Sequence, residues 1–306
     1  MKYLLVIAIM ALTYKGHAQR GEQPYIYILG IVQDGGYPHA GCEKQCCTKA
    51  RNNRENKKNV VSFALVSPAT KQWWLFEATP DINEQLHLFH THAGEGYKYL
   101  PDGIFITHAH MGHYTGLMHL GREVMGTKNI PVYVLPKLKQ YLETNGPWSQ
   151  LVSLHNISIT SSESDKPFSP AKGIQVTAFT VPHRDEYSET AGFKIVTAQK
   201  KYLFIPDIDK WSKWDKNIID EVKAVDIALL DATFYDGAEL PNRNISEVLH
   251  PFVSETMVLF KNEPDNVKGK IHFIHFNHTN PIVWNDTAVN AVKSGHFNIA
   301  VQAAEL

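Results

Sequence analysis

Three histidines lie close together in the segment THAHMGH. An apolar run over 103–106 predicts a strand before them, and a helical pattern over 114–125 follows them. Side chains two residues apart at a strand end point the same way, so His108 and His110 can face one ion while His113 approaches from another side. Because histidine is the commonest side-chain metal ligand, the triplet predicts a metal site rather than core packing.

Further ligand-type side chains follow apolar runs that predict strands. His183 comes after the run over 174–181, Asp207 ends the segment YLFIPD, and His275 and His278 lie in IHFNHTNP. A strand that delivers a ligand at its end holds a metal rigidly, although an aspartate there can equally cap a helix or a turn. The last two histidines face opposite sides of a straight strand, so we expect one of them to bind, and we favour His275, which continues the apolar strand.

All three cysteines fall in one cluster, Cys42, Cys46 and Cys47, shortly after His39. Three thiolates and an imidazole form a closed tetrahedral zinc site, so a structural zinc is one interpretation. The other is a disulfide from Cys42 to one of the other two, because adjacent cysteines are poorly placed to pair and an exported chain meets an oxidising compartment. Neither interpretation makes the cluster catalytic.

The start of the chain predicts a signal peptide over residues 1–18. A basic start at Lys2 precedes the apolar run YLLVIAIMAL, and small residues at Gly16 and Ala18 occupy the positions that signal peptidase reads. The run is too short to span a bilayer, and no cysteine follows it to carry a lipid. We therefore expect an exported protein, periplasmic or extracellular, without a membrane anchor and with its domain over 19–306.

The rest of the sequence predicts one α/β domain. Short β-rich runs alternate with helical patterns, no Pro-, Gly- or Ser-rich linker divides them, and a Cys-containing loop falls at about 34–58. Thirty Lys and Arg against 31 Asp and Glu leave a net charge of −1, which gives no bulk attraction for nucleic acid. The 306 residues include 16 histidines, and several without a motif, His250 among them, are interpreted as ordinary surface or core residues.

In their order and spacing, the histidines and the strand-end aspartate resemble the metallo-β-lactamase fold superfamily. The resemblance implies a four-layer αββα sandwich. It also implies two metal positions, the first formed by His108, His110 and His183, and the second by His113 and the C-terminal histidine, with Asp207 between the two.

The same resemblance implies that Asp81 is an acidic residue behind the ligands that orients their imidazoles. One position departs from the pattern. Gly112 stands where the HxHxDH motif of the superfamily has an aspartate. The second metal position is therefore expected to be weak, empty, or rebuilt with another carboxylate such as Asp185.

The first hypothesis for the metal chemistry is hydrolysis of an ester, amide, lactone or phosphodiester, with one or two Zn²⁺ ions that activate water. For the proton transfers the candidates are Asp207, Asp185 and His278. Arg184 and Tyr187 are candidates for binding an anionic group of a small-molecule substrate, and a solvated polar loop explains these two equally well.

A narrower resemblance is to the pyrroloquinoline quinone biosynthesis protein B (PqqB) family, carried by QDGGYP, LDATF and HFNHTNP. It implies an iron- or manganese-dependent oxidation of a tyrosine-derived precursor. Such proteins generally lack the leading pair that this chain keeps as His108 and His110, so a hydrolase is the favoured hypothesis and the oxidative enzyme is the alternative. A non-catalytic metal- or ligand-binding protein is a third hypothesis, motivated by Gly112.

Overall fold

The computed structural model describes residues 23–241 and 243–306, so the predicted signal peptide lies outside the described residues. The described strands form two mixed sheets. The first has, in spatial order, β1 (Tyr25–Gly30), β2 (Ser62–Ser67), β3 (Gln72–Phe76), β4 (Gly103–Phe105), β5 (Ile130–Val134) and β6 (Ile157–Ser161). Strands β1 to β3 pair antiparallel, and β3 to β6 pair parallel.

The second sheet contains β7 (Pro167–Ala171), β8 (Ile174–Val181), β9 (Thr190–Thr197), β10 (Lys201–Ile205), β11 (Ile227–Asp231), β12 (Ile271–Ile274) and β13 (Asn298–Ile299). Its spatial order also follows the sequence, from β7 at one edge to β13 at the other. Strands β7 to β10 pair antiparallel and β10 to β13 pair parallel. The carboxyl ends of β10, β11 and β12 therefore lie side by side.

The structure describes nine α-helices, most of which pack on the outer faces of the two sheets. They are α1 (Gln45–Asn52), α2 (Ile82–Ala93), α3 (Met111–Tyr114), α4 (Pro136–Thr144), α5 (Trp148–Ser153), α6 (Ile218–Lys223), α7 (Val253–Leu259), α8 (Asp265–Lys268) and α9 (Asp286–Ser294). Within the described residues, no helix is long and apolar enough to cross a bilayer.

The layers follow from alternation along buried strands. In β3, Trp74 and Phe76 face the second sheet, whereas Trp73 and Leu75 pack in the core shared with α2, α4 and α5. Phe76 stacks on Phe63 at 4.4 Å between ring centroids, and it meets Phe193 of the opposite sheet edge-on at 5.3 Å. Because both faces of such strands are buried, they read as continuous apolar runs. The predicted four-layer αββα sandwich is confirmed.

The predicted helix over 114–125 is present only in part and is not a continuous α-helix. The α-helix ends at Tyr114, and a 3-10 helix follows over Thr115–Leu120. The cause is a tertiary contact, because Ala78 hydrogen-bonds the backbone of both His113 and Gly116 and holds the segment against the end of β3. The expected loop at 34–58 is partly helical, since it contains α1.

Candidate metal centre

The candidate centre lies where strands of both sheets end. His108 and His110 follow β4, His113 lies in α3, and His183 follows β8. On the parallel part of the second sheet, each of three neighbouring strands ends in a ligand-type side chain: Asp207 after β10, Asp231 in β11 and His275 after β12. Neighbouring parallel strands place these side chains at one edge, which brings residues far apart in sequence into a single cluster.

A first donor set contains His108, His110, His183 and Asp207, whose ligand atoms lie within 4.8 Å of one another. His108 Nε2 is 2.8 Å from His110 Nδ1 and 3.4 Å from Asp207 Oδ2. His183 Nε2 lies 3.3 Å from Asp207 Oδ1. Three imidazoles and a carboxylate converging in this way suit a divalent transition-metal ion.

A second donor set contains Asp34, His113 and His275. His113 Nε2 is 3.3 Å from Asp34 Oδ1 and 3.7 Å from Asp207 Oδ2. His275 Nε2 is 4.0 Å from the same oxygen of Asp207. The Asp207 carboxylate thus lies between the two sets.

The donor atoms have the character of metal ligands rather than of hydrogen-bonding groups. Among the described residues, five buried atoms of the two sets have no hydrogen-bond partner: Nε2 of His113, His183 and His275, and Oδ1 of Asp34 and Asp207. Buried polar atoms in folded proteins are normally paired, so several unpaired donors that point at one another need a common partner. A cation in each donor set would satisfy the unpaired atoms of that set.

The charge states of Asp207 and His275 also suit ligation. Burial disfavours a charged Asp207, but the surrounding histidines, His183 foremost, outweigh it and hold the pKa of Asp207 well below its usual range. Burial lowers the pKa of His275 and so favours the neutral ring. An ionised carboxylate and neutral imidazoles are the forms that bind a metal.

Polar groups behind the ligands fix the orientation of their rings. His108 Nδ1 is 2.8 Å from Thr107 Oγ1, and His275 Nδ1 is 2.9 Å from Thr233 Oγ1. Carboxylates face the outer nitrogens of the others: Asp209 at 3.2 Å from His183 Nδ1, Glu186 at 3.3 Å from His110 Nε2 and Glu77 at 3.4 Å from His113 Nδ1. Such contacts set the tautomer and direction of a ligand imidazole.

Asp81 does not take the orienting role expected of it. Its Oδ2 accepts a hydrogen bond from the Val60 backbone N–H at 2.8 Å, and it precedes α2 as the N-cap. The acid that faces a ligand histidine is Glu77, four residues earlier, which is fully buried. The backbone turns at Glu77, with φ of 70°, directly after β3, and this turn aims its side chain at His113.

His250 is not the ordinary residue that the absence of a motif suggested. Its Nδ1 lies 3.2 Å from Asp207 Oδ1 and 3.0 Å from Asp231 Oδ2. Burial alone would lower its pKa, but the charges of Asp231 and Asp207 outweigh burial and raise the pKa of His250 to about 9. Asp231 repeats the strand-end pattern of Asp207 and was detectable on that ground, whereas nothing local to His250 marks it.

The cysteine cluster differs from expectation in its fourth member. Sγ atoms of Cys42, Cys46 and Cys47 group with His278, not with His39. The His39 ring instead packs on the His278 ring at 4.2 Å, with its Nδ1 2.8 Å from the Ala40 carbonyl. The three thiols are free, and Cys42 Sγ is 3.7 Å from Cys46 Sγ. His278 therefore lies in the cysteine cluster, away from the proton-transfer role considered for it.

Three residues of the loop after His183 lie at the surface. Asp185 Oδ2 is 3.7 Å from Lys137 Nζ, with both side chains about two-thirds exposed, so Asp185 does not complete the second donor set. Arg184 Nη1 lies 3.8 Å from Glu186 Oε1. Tyr187 lies with Asp185 and Glu186 on the wall of an open cavity of about 570 Å³, and Glu186 links this cavity to His110.

The fold and the two donor sets define a metal-binding protein with the metallo-β-lactamase fold. A family model described as "Beta-lactamase superfamily domain" matches residues 72–276, more than half of the chain. The chain belongs to this superfamily.

Within it, the chain is similar to PqqB proteins. It is 24% identical over 288 residues to Coenzyme PQQ synthesis protein B of Methylorubrum populi. The alignment covers 87% of this chain and 94% of that protein. The crystal structure of Zn²⁺-bound PqqB from Methylobacterium extorquens superposes with a TM-score of 0.77 at 20% identity, over 92% of this chain and 99% of that one. A diphosphatase of the PhnP family gives a TM-score of 0.66 at 16% identity, over 93% and 96%. The predicted PqqB-like relationship is confirmed.

Proposed function

We propose that this protein is a metal-dependent oxidative enzyme of the PqqB type, which oxidises a small aromatic, tyrosine-derived substrate with dioxygen as the electron acceptor. The main observation in support of this proposal is the second donor set, Asp34, His113 and His275. Two histidines and one carboxylate that leave other coordination positions open are the ligand set of non-haem iron oxygenases. The relatives named for coenzyme PQQ synthesis support the same proposal.

A hydrolase is the second candidate, and the first donor set favours it. His108, His110, His183 and Asp207 form a nitrogen-rich set that suits zinc, and one structural neighbour is a diphosphatase. A divalent ion held there would polarise a substrate oxygen and lower the pKa of water bound to it.

The residues around the metal positions have the same roles in an oxidative enzyme and in a hydrolase. Thr107, Thr233 and Asp209 orient the rings of His108, His275 and His183. The open cavity is lined by Glu186, which contacts His110, and we propose it as the side from which a small molecule approaches the centre. Tyr187 and Arg184 remain our candidates for contacts to substrate, and no nucleic-acid or membrane partner is proposed.

The test loads metal-free protein with Fe²⁺, Mn²⁺ or Zn²⁺ and measures two activities on each form. Oxygen uptake is recorded with L-tyrosine and 3,4-dihydroxyphenylalanine, and hydrolysis is recorded with bis(p-nitrophenyl) phosphate. We expect substrate-dependent oxygen uptake by the Fe²⁺ or Mn²⁺ form that His113→Ala abolishes. Zinc-dependent hydrolysis without oxygen uptake would replace this proposal with the hydrolase. Absence of both activities from every loaded form would leave the third hypothesis, a binding protein.

Two further parts of the proposal concern the cysteine cluster and export. We propose that Cys42, Cys46, Cys47 and His278 hold a structural zinc, because three thiols and an imidazole converge in a closed, largely buried group. We also propose that residues 1–18 direct export, as their composition predicts.

A further inference from the structure

We propose that Asp34 replaces the aspartate missing at position 112, so that the second metal position is complete and its carboxylate comes from a different loop. The inference rests on the proposed metal-dependent function. It names a ligand for the second metal at a position outside the HxHxDH motif.

The first observation is steric. A Cβ atom built on Gly112 would lie 2.0 Å from Asp34 Oδ1 and 2.6 Å from Asp34 Cα. The nearer contact involves a side chain, but the second involves backbone, which cannot simply rotate away. Any side chain at position 112 and the present Asp34 therefore exclude each other. Because Gly112 has no side chain, the Asp34 carboxylate can occupy this position.

The second observation concerns what the carboxylate faces. Asp34 Oδ1 is buried and, among the described residues, has no hydrogen-bond partner. It points at His113 Nε2, 3.3 Å away, which has none either. With His275 these atoms form one donor set, and the motif aspartate would have had to supply the oxygen that Asp34 supplies here.

The third observation is that the backbone fixes Asp34 in this place. Gln33 donates its N–H to the Phe276 carbonyl at 2.9 Å, and Phe276 donates its own to the Ile31 carbonyl at 3.0 Å. The segment that leads into Asp34 is therefore tied to the segment that carries His275. A turn closes directly after it, with the Gly36 N–H bonded to the Gln33 carbonyl at 2.9 Å and Gly36 at a φ of 69°.

The experiment moves the carboxylate between the two loops. Metal content per chain is measured by elemental analysis after dialysis against limiting Co²⁺, and the Co²⁺ absorption spectrum reports coordination independently of activity. The variants are Asp34→Asn, Asp34→Gly, Gly112→Asp and the double variant Asp34→Gly/Gly112→Asp. Asp185→Asn is the control, since this surface carboxylate belongs to neither donor set.

Asp34→Asn and Asp34→Gly should each lose one ion per chain and weaken the second site by more than the about 10- to 100-fold that is typical of an outer-shell change. The double variant removes the 2.0 Å side-chain contact but keeps the 2.6 Å contact with Cα of residue 34, so it should regain the ion with a lower affinity than the wild type, because the loop that carries residue 34 must shift. Asp185→Asn should bind like the wild type. Circular dichroism identifies any variant that fails to fold, and Asp34→Asn, which keeps the side-chain shape, then decides.

Two outcomes overturn the inference. Asp34→Asn with unchanged metal content and spectrum shows that Asp34 is not a ligand. Gly112→Asp alone, if it gains an ion over the wild type, shows that the second position lacked its carboxylate. A wild-type protein that binds no ion beyond the cysteine cluster refutes the proposed metal-dependent function itself, which distinguishes that failure from the failure of Asp34.

Discussion

Glu77→Gln should weaken the second metal position selectively. Glu77 is fully buried, its Oε1 lies 3.4 Å from His113 Nδ1, and its Oε2 accepts a hydrogen bond from the Thr107 N–H at 3.3 Å. Glutamine keeps the shape and the backbone turn but removes the charge. The glutamine amide also has an NH2 group in place of one carboxylate oxygen. In one of the two contacts, this NH2 donor therefore faces another N–H donor.

The magnitude follows from the contact. A carboxylate behind a ligand histidine typically contributes about 10- to 100-fold in metal affinity, which is about 1.4 to 2.7 kcal/mol. Within the described part of the chain, Glu77 Oε1 faces His113 Nδ1, but Thr107 Oγ1 also lies 3.5 Å from this nitrogen and retains part of the orientation of the ring. The loss of affinity should therefore fall toward the lower end of this range. The first donor set should keep its affinity, because its outer contacts are to Thr107, Asp209 and Glu186.

The assay is a competition titration of Co²⁺ or Zn²⁺ against a chromophoric chelator, with Asp81→Asn as the matched control. Asp81 is a nearby acid whose Oδ2 bonds the Val60 N–H, so its loss should lower stability by about 1 to 3 kcal/mol while metal affinity stays near the wild-type value. Equal losses of affinity in the two variants, or a larger one in Asp81→Asn, would refute the assignment of the orienting role to Glu77.

Three further predictions address the cysteine cluster, the core and the leader. His278→Ala should lose the metal of the cysteine cluster while His39→Ala retains it, as elemental analysis of the two proteins would show; the reverse result would restore His39 as the ligand. Phe76→Ala should destabilise the fold by about 3 to 5 kcal/mol in urea unfolding, since the ring is fully buried between the sheets, and a loss below about 1 kcal/mol would contradict that packing. Mass spectrometry of the protein expressed in its full length should find a mature chain that begins at Gln19 in an exported fraction, and an uncleaved chain retained in the cytoplasm would refute the signal peptide.

The sequence was informative where one strand carries both the apolar run and the side chain at its end. Local spacing was enough to single out His108, His110 and His113, and strand ends were enough for His183, Asp207 and His275. The structure brings these six side chains together. The same signal is present at Asp231, which ends β11. Strand prediction and ligand prediction succeed together here because both depend on neighbours within a few residues.

Contacts made between loops could not be predicted in this way. His39 precedes the cysteines in sequence, yet His278 joins them, because the turn after β12 brings this residue beside α1. His250 reaches Asp207 from a loop that has no periodic pattern. In both cases the partner is fixed by tertiary packing, and sequence proximity favoured the wrong residue or none.

Gly112 shows how a departure from a motif can mislead. Considered alone, a glycine in place of the aspartate indicates a lost ligand, and proximity in sequence to His183 favours Asp185 as the substitute. The structure instead places Asp34 against the glycine, at a distance that no side chain at 112 would tolerate. A metal position fixes where an oxygen must lie but not which loop supplies it, since loops from both sheets end around the same point. For this reason the donor set, rather than the motif, defines the chemistry of the centre. Here that set is two histidines and a carboxylate on one side of Asp207, and three histidines on the other.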